Sequence, residues 1–176
     1  TYTLTTAAAH SSPGRDSMEM SVGKVTLRDA RGSQSVDVKI TLDDDIPELQ
    51  LISGGNAVLS GIGGHTATGE FAPDFGADGP RLDYNGNILI RVSAAGSGGV
   101  NSQQLALNLN GSASTFTTPQ GELTARWDAS SKTIKYSYTA LRGQAGDQET
   151  LTLSVSDSDG DEASRNFTMT LGDSVK

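Results

Sequence analysis

The sequence contains no cysteine among its 176 residues, which excludes the disulfide framework that stabilises many small secreted domains. A zinc site is poorly supplied as well, because the only histidines, His10 and His65, lie far apart in the chain. If the chain functions outside the cell, it needs another kind of stabilising link. A bound metal ion is the obvious substitute.

Long hydrophobic runs are also missing. No stretch approaches the roughly 20 consecutive apolar residues that a membrane-spanning helix needs, and we therefore expect no membrane insertion. The residues that follow Thr1 lack the basic and apolar regions of a signal sequence. We expect any export signal to lie elsewhere in a longer polypeptide.

Basic and aromatic residues are scarce. The chain has 13 Lys and Arg against 21 Asp and Glu, a formal net charge of −8, and one Trp, four Tyr and four Phe. Proteins that bind nucleic acid need a basic face and aromatic or arginine stacking platforms, so nucleic acid is not an expected partner. Carboxylates in such excess repel one another and destabilise the compact state unless cations neutralise them.

Helical periodicity is nearly absent, and the recurrent pattern is instead period-two alternation with β-branched residues, which is typical of half-buried strands. Many short strands separated by Gly- and Asn-rich turns favour an all-β fold, an antiparallel β-sandwich. Trp127 and Tyr136 are expected in its core. The predicted strands are Tyr2–Thr6, Met18–Leu27, Ser35–Leu42, Glu48–Ile52, Asn87–Ser93, Gln104–Asn108, Leu123–Asp128, Thr133–Thr139, Gln148–Asp157 and Arg165–Leu171.

The end of the chain repeats its beginning. Residues 135–173 match residues 1–44 segment by segment; for example, Phe167–Asp173 aligns with Val38–Asp44, and both have apolar residues at every second position. The offset of about 129 residues has the size of one small domain. We therefore interpret residues 1–45 as terminal strands of a preceding module, or as extra strands packed on the next one, and residues 46–176 as a complete β-sandwich module. A chance likeness of two β-hairpins is the alternative.

An acidic turn carries the chemistry of the repeat. Asp157, Asp159 and Asp161 occupy positions one, three and five of a tight loop, so their carboxylates can converge on one point. Calcium takes about six to eight oxygen ligands from such groups. Asp147 or Glu149, or the loop of a neighbouring module, could complete the set. The alternative is a solvent-exposed acidic turn, since Asp and Gly are ordinary turn residues.

The earlier copy of this turn is degraded. It begins at Asp29 but has Arg31 and Ser33 where the outer carboxylates would lie. We expect this copy to hold no metal ion.

The junction between the two repeats is a second candidate metal site. Asp43, Asp44 and Asp45 precede Pro47, which restricts the preceding backbone to extended conformations and stiffens the junction. Three adjacent carboxylates in a linker suit an interdomain calcium clamp, although a solubilising acidic linker is an equal alternative. The segment 83–87 repeats the oxygen spacing with amides in place of two acids, and there we expect a simple hairpin turn.

Together these features resemble the repeat modules of giant bacterial surface adhesins exported by type I secretion, the RTX adhesin class, whose sandwiches are cadherin-like or immunoglobulin-like. The resemblance covers nearly the whole chain. It rests on Gly69-Glu70-Phe71 leading to Phe75-Gly76-Ala77-Asp78-Gly79, on Tyr136-Ser137-Tyr138-Thr139, on the run from Asp147 to Asp161, and on Asp43-Asp44-Asp45-Ile46-Pro47.

Membership implies a calcium-rigidified segment of an extended fibre, which is secreted to the bacterial cell surface and used for attachment and biofilm formation. It implies a monomer whose partners are the neighbouring modules of the same polypeptide. It assigns calcium to Asp157, Asp159 and Asp161, and lends weight to Glu149 and the linker aspartates. Two departures are the degraded first turn and the Gly-, Asn- and Ser-rich stretch 54–121.

A ligand-binding module of the same kind of adhesin is the alternative function. Loops 53–64, 72–80 and 94–103 would then cluster at one end of the sandwich and hold a surface glycan or a peptide. An exposed aromatic residue beside a bound calcium ion would favour it, and Tyr84 is the candidate.

We do not expect an enzyme. No Gly-x-Ser-x-Gly motif accompanies His10 or His65, and nothing in the sequence brings Glu70 and Glu122 across a cleft as a glycosidase pair.

Overall fold

The computed structural model describes residues 17–60 and 65–175. These residues form twelve β-strands, arranged as one two-stranded and two five-stranded sheets. The strands are β1 (Ser17–Asp29), β2 (Gly32–Asp43), β3 (Glu48–Ser53), β4 (Ala57–Leu59), β5 (Thr66–Asp74), β6 (Ile88–Gly96), β7 (Gly99–Leu107), β8 (Ser114–Thr117), β9 (Gly121–Asp128), β10 (Thr133–Ala140), β11 (Gln148–Ser156) and β12 (Glu162–Leu171).

Residues 48–60 and 65–175 form an immunoglobulin-like β-sandwich, and the predicted fold class is confirmed. One sheet has the strand order β3-β5-β10-β9-β8 and the other β4-β12-β11-β6-β7. The chain enters through β3 in the first sheet and crosses to β4 in the second, where β4 runs parallel to the last strand, β12. The other strand pairs are antiparallel.

Alternation along the strands forms the core between the two sheets. Strand β10 is buried at every second position through Tyr136 and Tyr138, while the residues between them are only partly covered. The Phe167 ring of β12 lies 4.8 Å from that of Tyr136 and 5.4 Å from that of Phe71, measured between centroids. Trp127 and Tyr136 are both buried, as the sequence predicts.

Three strands, β4, β5 and β8, have no counterpart among the predicted ones, and all lie in the Gly-rich stretch 54–121. Strand β5 contains Gly69 and Pro73, two residues that argue against a strand. Gly69 is tolerated because the Tyr136 side chain covers it so closely that a Cβ atom would overlap the ring. The predicted strand Tyr2–Thr6 and residues 61–64 of the predicted loop 53–64 lie outside the described residues.

The two ends of the sandwich are distinguished by their loops. At one end, termed the linker end, lie the linker 44–47, the β5–β6 loop (75–87) and the β11–β12 turn (157–161). The β6–β7 turn and the β10–β11 loop lie at the other end, termed the far end, because Gly96 of β6 pairs with Glu149 at the start of β11. The β1–β2 hairpin precedes the linker and forms a separate sheet.

Candidate metal centre

Three segments distant in sequence meet at the linker end. The β5–β6 loop contacts the β11–β12 turn through a β-bridge between Pro80 and Asp157 and through a 3.1 Å hydrogen bond from the Ser158 amide to the Gly79 carbonyl. The linker is attached to the same loop, because the Ala77 amide donates to Asp45 Oδ2 at 2.9 Å. These contacts therefore fix the relative positions of all three segments.

This arrangement brings six aspartates together: Asp44 and Asp45 from the linker, Asp78 from the β5–β6 loop, and Asp157, Asp159 and Asp161 from the β11–β12 turn. Five of them form two carboxylate clusters, Asp44 with Asp45 and Asp78, and Asp44 with Asp159 and Asp161, whereas Asp157 belongs to neither. Within each cluster one oxygen per residue lies within 4.8 Å of the others. Asp44 belongs to both and is positioned to bridge two cations.

The carboxylates of the turn are withdrawn from water. Asp157 has no exposed surface, and Asp44 and Asp161 are only 5% and 6% exposed. Asp157 Oδ1 accepts hydrogen bonds from the amides of Gly160 at 3.0 Å and Asp161 at 2.8 Å. In contrast, Asp157 Oδ2 and both carboxylate oxygens of Asp159 are buried without a hydrogen-bond donor among the described residues. Buried charged oxygens without a partner are costly, and each needs an explanation.

Burial and crowding also perturb the titration of this group. Burial, followed by the adjacent Asp159 carboxyl, raises the pKa of Asp157 from 3.8 to about 6 in spite of the lowering effect of the two amides. A cation between the carboxylates would favour the ionised form and reverse this shift.

Glycines allow the loops to fold this tightly. Gly160 adopts φ 111° and Gly76 adopts φ 63°, conformations that L-residues with a side chain rarely adopt. The Asp45 carboxylate lies directly against Gly76, where a Cβ atom would overlap it. The glycine therefore provides the space in which Asp45 approaches the loop.

The structure does not bring all the predicted ligands to this centre. Asp43 is exposed at the end of β2, opposite Ser17. Asp147 and Glu149 lie at the far end, and Glu149 is about 26 Å along β11 from Asp157, since a strand rises about 3.3 Å per residue. The prediction that Asp147 or Glu149 completes the ligand set of the acidic turn does not agree with this placement.

Glu149 instead lies in a buried polar network inside the sandwich. Its side chain has no exposed surface. It accepts hydrogen bonds from Thr118 Oγ1 at 2.7 Å, the Gln120 amide at 3.0 Å and Tyr138 Oη at 2.6 Å. Burial, followed by the Glu149 carboxylate, raises the pKa of Tyr138. Three donors on one carboxylate satisfy a charge that would otherwise be costly to bury.

Asp78 is the ligand candidate that the sequence analysis did not identify. It lies within the segment Phe75–Gly79, which was noted for its resemblance to adhesin modules but not for its carboxylate. The degraded turn contributes nothing comparable, because Asp29 Oδ1 accepts from the Arg31 amide at 2.7 Å and belongs to neither cluster.

The segment 83–87 is a hairpin turn, as predicted. Asp83 Oδ1 accepts from the amides of Asn85 and Asn87, and Oδ2 accepts from Asn87 Nδ2. These bonds, the one to the Asn87 side chain above all, lower the pKa of Asp83. The carboxylate is thus already occupied by amide donors, and the Tyr84 ring at the tip is 97% exposed.

The loops expected to form a ligand site do not cluster. Loop 72–80 lies at the linker end, where Pro80 contacts Asp157. The turn in 94–103 lies at the far end beside Glu149, and so does Leu59, which pairs with Leu171. The clustering prediction is therefore wrong for the described parts of these loops.

Comparisons of the chain with protein-family models, curated proteins and solved structures found no match. No helix in residues 17–60 and 65–175 is long and apolar enough to cross a membrane.

Proposed function

We propose that this chain is a calcium-stabilised extracellular structural module of a large bacterial surface adhesin, and that calcium ions bound at the linker end hold the module rigidly to the segment that precedes it. The observation that carries this proposal is the pair of carboxylate clusters that share Asp44. They combine linker aspartates with aspartates of the sandwich, so an ion bound there ties the two together.

The chemistry of the donors supports calcium over other metals. All six side chains offer carboxylate oxygens, which suit a hard cation, and neither a thiolate nor an imidazole is among them. Carboxylates from three segments, together with backbone carbonyls and water, can supply the six to eight ligands of calcium, whereas magnesium retains most of its water shell and zinc prefers nitrogen and sulfur. The buried oxygens of Asp157 and Asp159 that lack a donor would point to the ion.

Such a site makes the stability and the stiffness of the module depend on the concentration of free calcium. Without the ion the six carboxylates repel one another, and with it they attract a common charge. Ligand binding stabilises the folded state by about 2.7 kcal/mol at a hundredfold excess over the dissociation constant. The module would be looser where free calcium is low, as inside a cell, and stiff at the cell surface, where attachment and biofilm formation require transmission of force.

The test is a calorimetric titration of calcium into the chelator-stripped chain, with thermal unfolding recorded in parallel. We expect two ions per chain and a rise in the unfolding temperature. Changing Asp157, Asp159 and Asp161 to Asn should remove the ion of the cluster that contains Asp159 and Asp161, whereas Asp44→Asn, which removes the ligand shared by both clusters, should abolish both effects. The matched control is Asp29→Asn in the degraded turn, which should bind as the parent chain does. If the parent chain gives neither heat nor a thermal shift, the proposal is refuted.

A ligand-binding role is a second candidate, and one observation favours it. The 97% exposed ring of Tyr84 projects from a turn held rigid by Asp83, and preordered exposed aromatics are frequent anchors for partners. If this role is correct, a glycan or peptide array should reveal a ligand whose binding is lost in Tyr84→Ala. An array without any binder counts against it.

A further inference from the structure

The β1–β2 and β11–β12 hairpins share one strand register. Both pair antiparallel, and when Asp157 is aligned with Asp29 and Phe167 with Val38, the strand pairs occupy equivalent positions. Gly23↔Val38 corresponds to Leu151↔Phe167, Val25↔Val36 to Leu153↔Arg165, and Leu27↔Gln34 to Val155↔Ala163. In an antiparallel ladder one such agreement fixes the others, so the three pairs together report one shared register across turns that differ in length by a single residue.

The corresponding side chains differ sharply in burial. Val25, Leu27 and Val38 are 53%, 73% and 42% exposed. Their counterparts Leu153, Val155 and Phe167 are 0%, 0% and 1% exposed. Since residues paired across strands, and every second residue along them, share a face, β1–β2 presents one apolar face to solvent. This hairpin face consists of four exposed residues, Val25, Leu27, Val36 and Val38, and four half-buried ones, Met18, Met20, Ile40 and Leu42.

The opposite face of β1–β2 is built for water. Lys39 Nζ donates to Glu19 at 2.6 Å, Lys24 lies 3.9 Å from Asp37, and the hydroxyls of Thr26 and Ser35 are 2.7 Å apart. One polar and one apolar face is the pattern of a sheet that forms one layer of a sandwich. An isolated two-stranded hairpin is marginal in water, so the hairpin face requires a cover.

The sandwich indicates what that cover is. The equivalent face of β11–β12 packs on the sheet that contains β5 and β10, whose Phe71 and Tyr136 rings lie against Phe167. The repeat also aligns Thr1–Leu4 with Tyr136–Thr139 of β10, although residues 1–16 lie outside the described residues. The same chain thus carries a matched pair of hairpins, of which only the second has its covering sheet among the described residues.

We propose that β1–β2 is the last hairpin of a preceding β-sandwich, and that the hairpin face is covered by a sheet of that module bearing inward aromatic and aliphatic side chains, as β5 and β10 do here. The packing is independent of calcium. If β1–β2 belongs to a preceding module, both carboxylate clusters lie at a joint between two modules. This consequence rests on the proposed function.

The experiment supplies the missing cover within one chain. A copy of residues 48–135, which contains β3 to β9 and the start of β10, is fused ahead of Thr1. Hydrogen exchange by mass spectrometry then compares β1–β2 in the original and the extended chain. We expect the β1–β2 amides to exchange about 100-fold more slowly in the extended chain, because packed strands open far less often than exposed ones.

Matched variants identify the face responsible. Val25→Glu with Val38→Glu should abolish the slowing, whereas Thr26→Glu with Ser35→Glu on the polar face should retain it. At positions 23 and 38 the residues of β1–β2 are smaller than their counterparts in β11–β12. A second extended chain therefore carries Gly23→Leu and Val38→Phe, which introduce the side chains found at Leu151 and Phe167. Gly23 has open space for the change.

Three results would overturn the proposal. The first is a failure of both extended chains to slow exchange in β1–β2. The second is exchange in the original monomeric chain that is already as slow as in β11–β12, because the face would then be covered within residues 1–176. The third is protection of the β1–β2 amides that increases with protein concentration while sedimentation detects a dimer. The hairpin face would then be covered by a second copy of the chain.

Discussion

Two hairpins of this chain start from the same pattern and end in different surroundings. β11–β12 lies in the centre of a five-stranded sheet, with its apolar side chains buried and three aspartates in its turn. β1–β2 has the same register, exposes the apolar side chains nearest its turn, and has Arg31 and Ser33 where the outer carboxylates would lie. The alternation of residues is sufficient to set strand pairing, whereas burial depends on a covering sheet and metal binding depends on the turn.

The comparison also separates the two roles of the β11–β12 hairpin. Its strands contribute to the core of the sandwich, and its turn contributes to the linker-end clusters. β1–β2 keeps the strand pattern without the acids, so substitutions at matched positions can test each role separately. The expected differences in free energy of unfolding follow from burial.

The largest difference is expected for truncation of the central apolar position. Phe167→Ala should lower the free energy of unfolding by about 3 to 5 kcal/mol, since a fully buried aromatic ring leaves a cavity. Val38→Ala, at the matched position of β2, should change it by less than about 0.5 kcal/mol in the isolated chain. Urea unfolding of both variants provides the measurement, with an unchanged m-value as the control. Equal losses would contradict the assigned difference in burial.

A smaller loss is expected at the buried carboxylate. Glu149→Gln replaces an acceptor of three hydrogen bonds with an amide that places donor against donor, which should cost about 2 to 3 kcal/mol. Calcium affinity should be unaffected, because Glu149 lies at the far end from both clusters. Calorimetry and urea unfolding of the same variant measure the two quantities. If Glu149→Gln instead reduces calcium binding and leaves the free energy of unfolding unchanged, Glu149 is a calcium ligand and its assignment to the buried network is wrong.

The smallest of the three differences is expected for Val155→Thr against Leu27→Thr. Val155 is fully buried, and a hydroxyl without a partner there should cost about 1 to 2 kcal/mol. Leu27 is 73% exposed, so its replacement should leave the midpoint of unfolding nearly unchanged. In the extended chain proposed above, Leu27→Thr should become destabilising. A Leu27 variant that is equally neutral in both chains would argue against a covered hairpin face.

Much of the fold can be predicted from the sequence, because alternation and turn residues are local properties. Strands β9, β10 and β11 follow closely from the pattern, whereas β5 does not, since Gly69 and Pro73 are tolerated only through contacts with Tyr136 and the neighbouring β3. Such tolerance depends on residues far away in the sequence. Local rules cannot anticipate it.

The candidate site is predictable to a similar extent. The acidic turn and Asp44 and Asp45 of the linker are visible as local concentrations of charge, but Asp78 is a single aspartate that becomes a candidate only when the β5–β6 loop contacts the turn. Glu149 could have been assigned to the core, because it has the same parity as Leu151 and Leu153 in β11. Its hydrogen-bond donors come from other strands and loops, which the sequence does not reveal.

The central claim is that cations at the linker end fix the β1–β2 hairpin relative to the sandwich. The absence of native cysteine allows spin labels at Thr26→Cys and Ser102→Cys, whose separation can be measured by double electron–electron resonance with calcium and with chelator. A label pair within the sandwich, Ser102→Cys and Thr150→Cys, serves as the control and should not respond. We predict that calcium converts a broad distance distribution between hairpin and sandwich into a narrow one, and that Asp44→Asn prevents this. Identical distributions with calcium and with chelator would contradict the account.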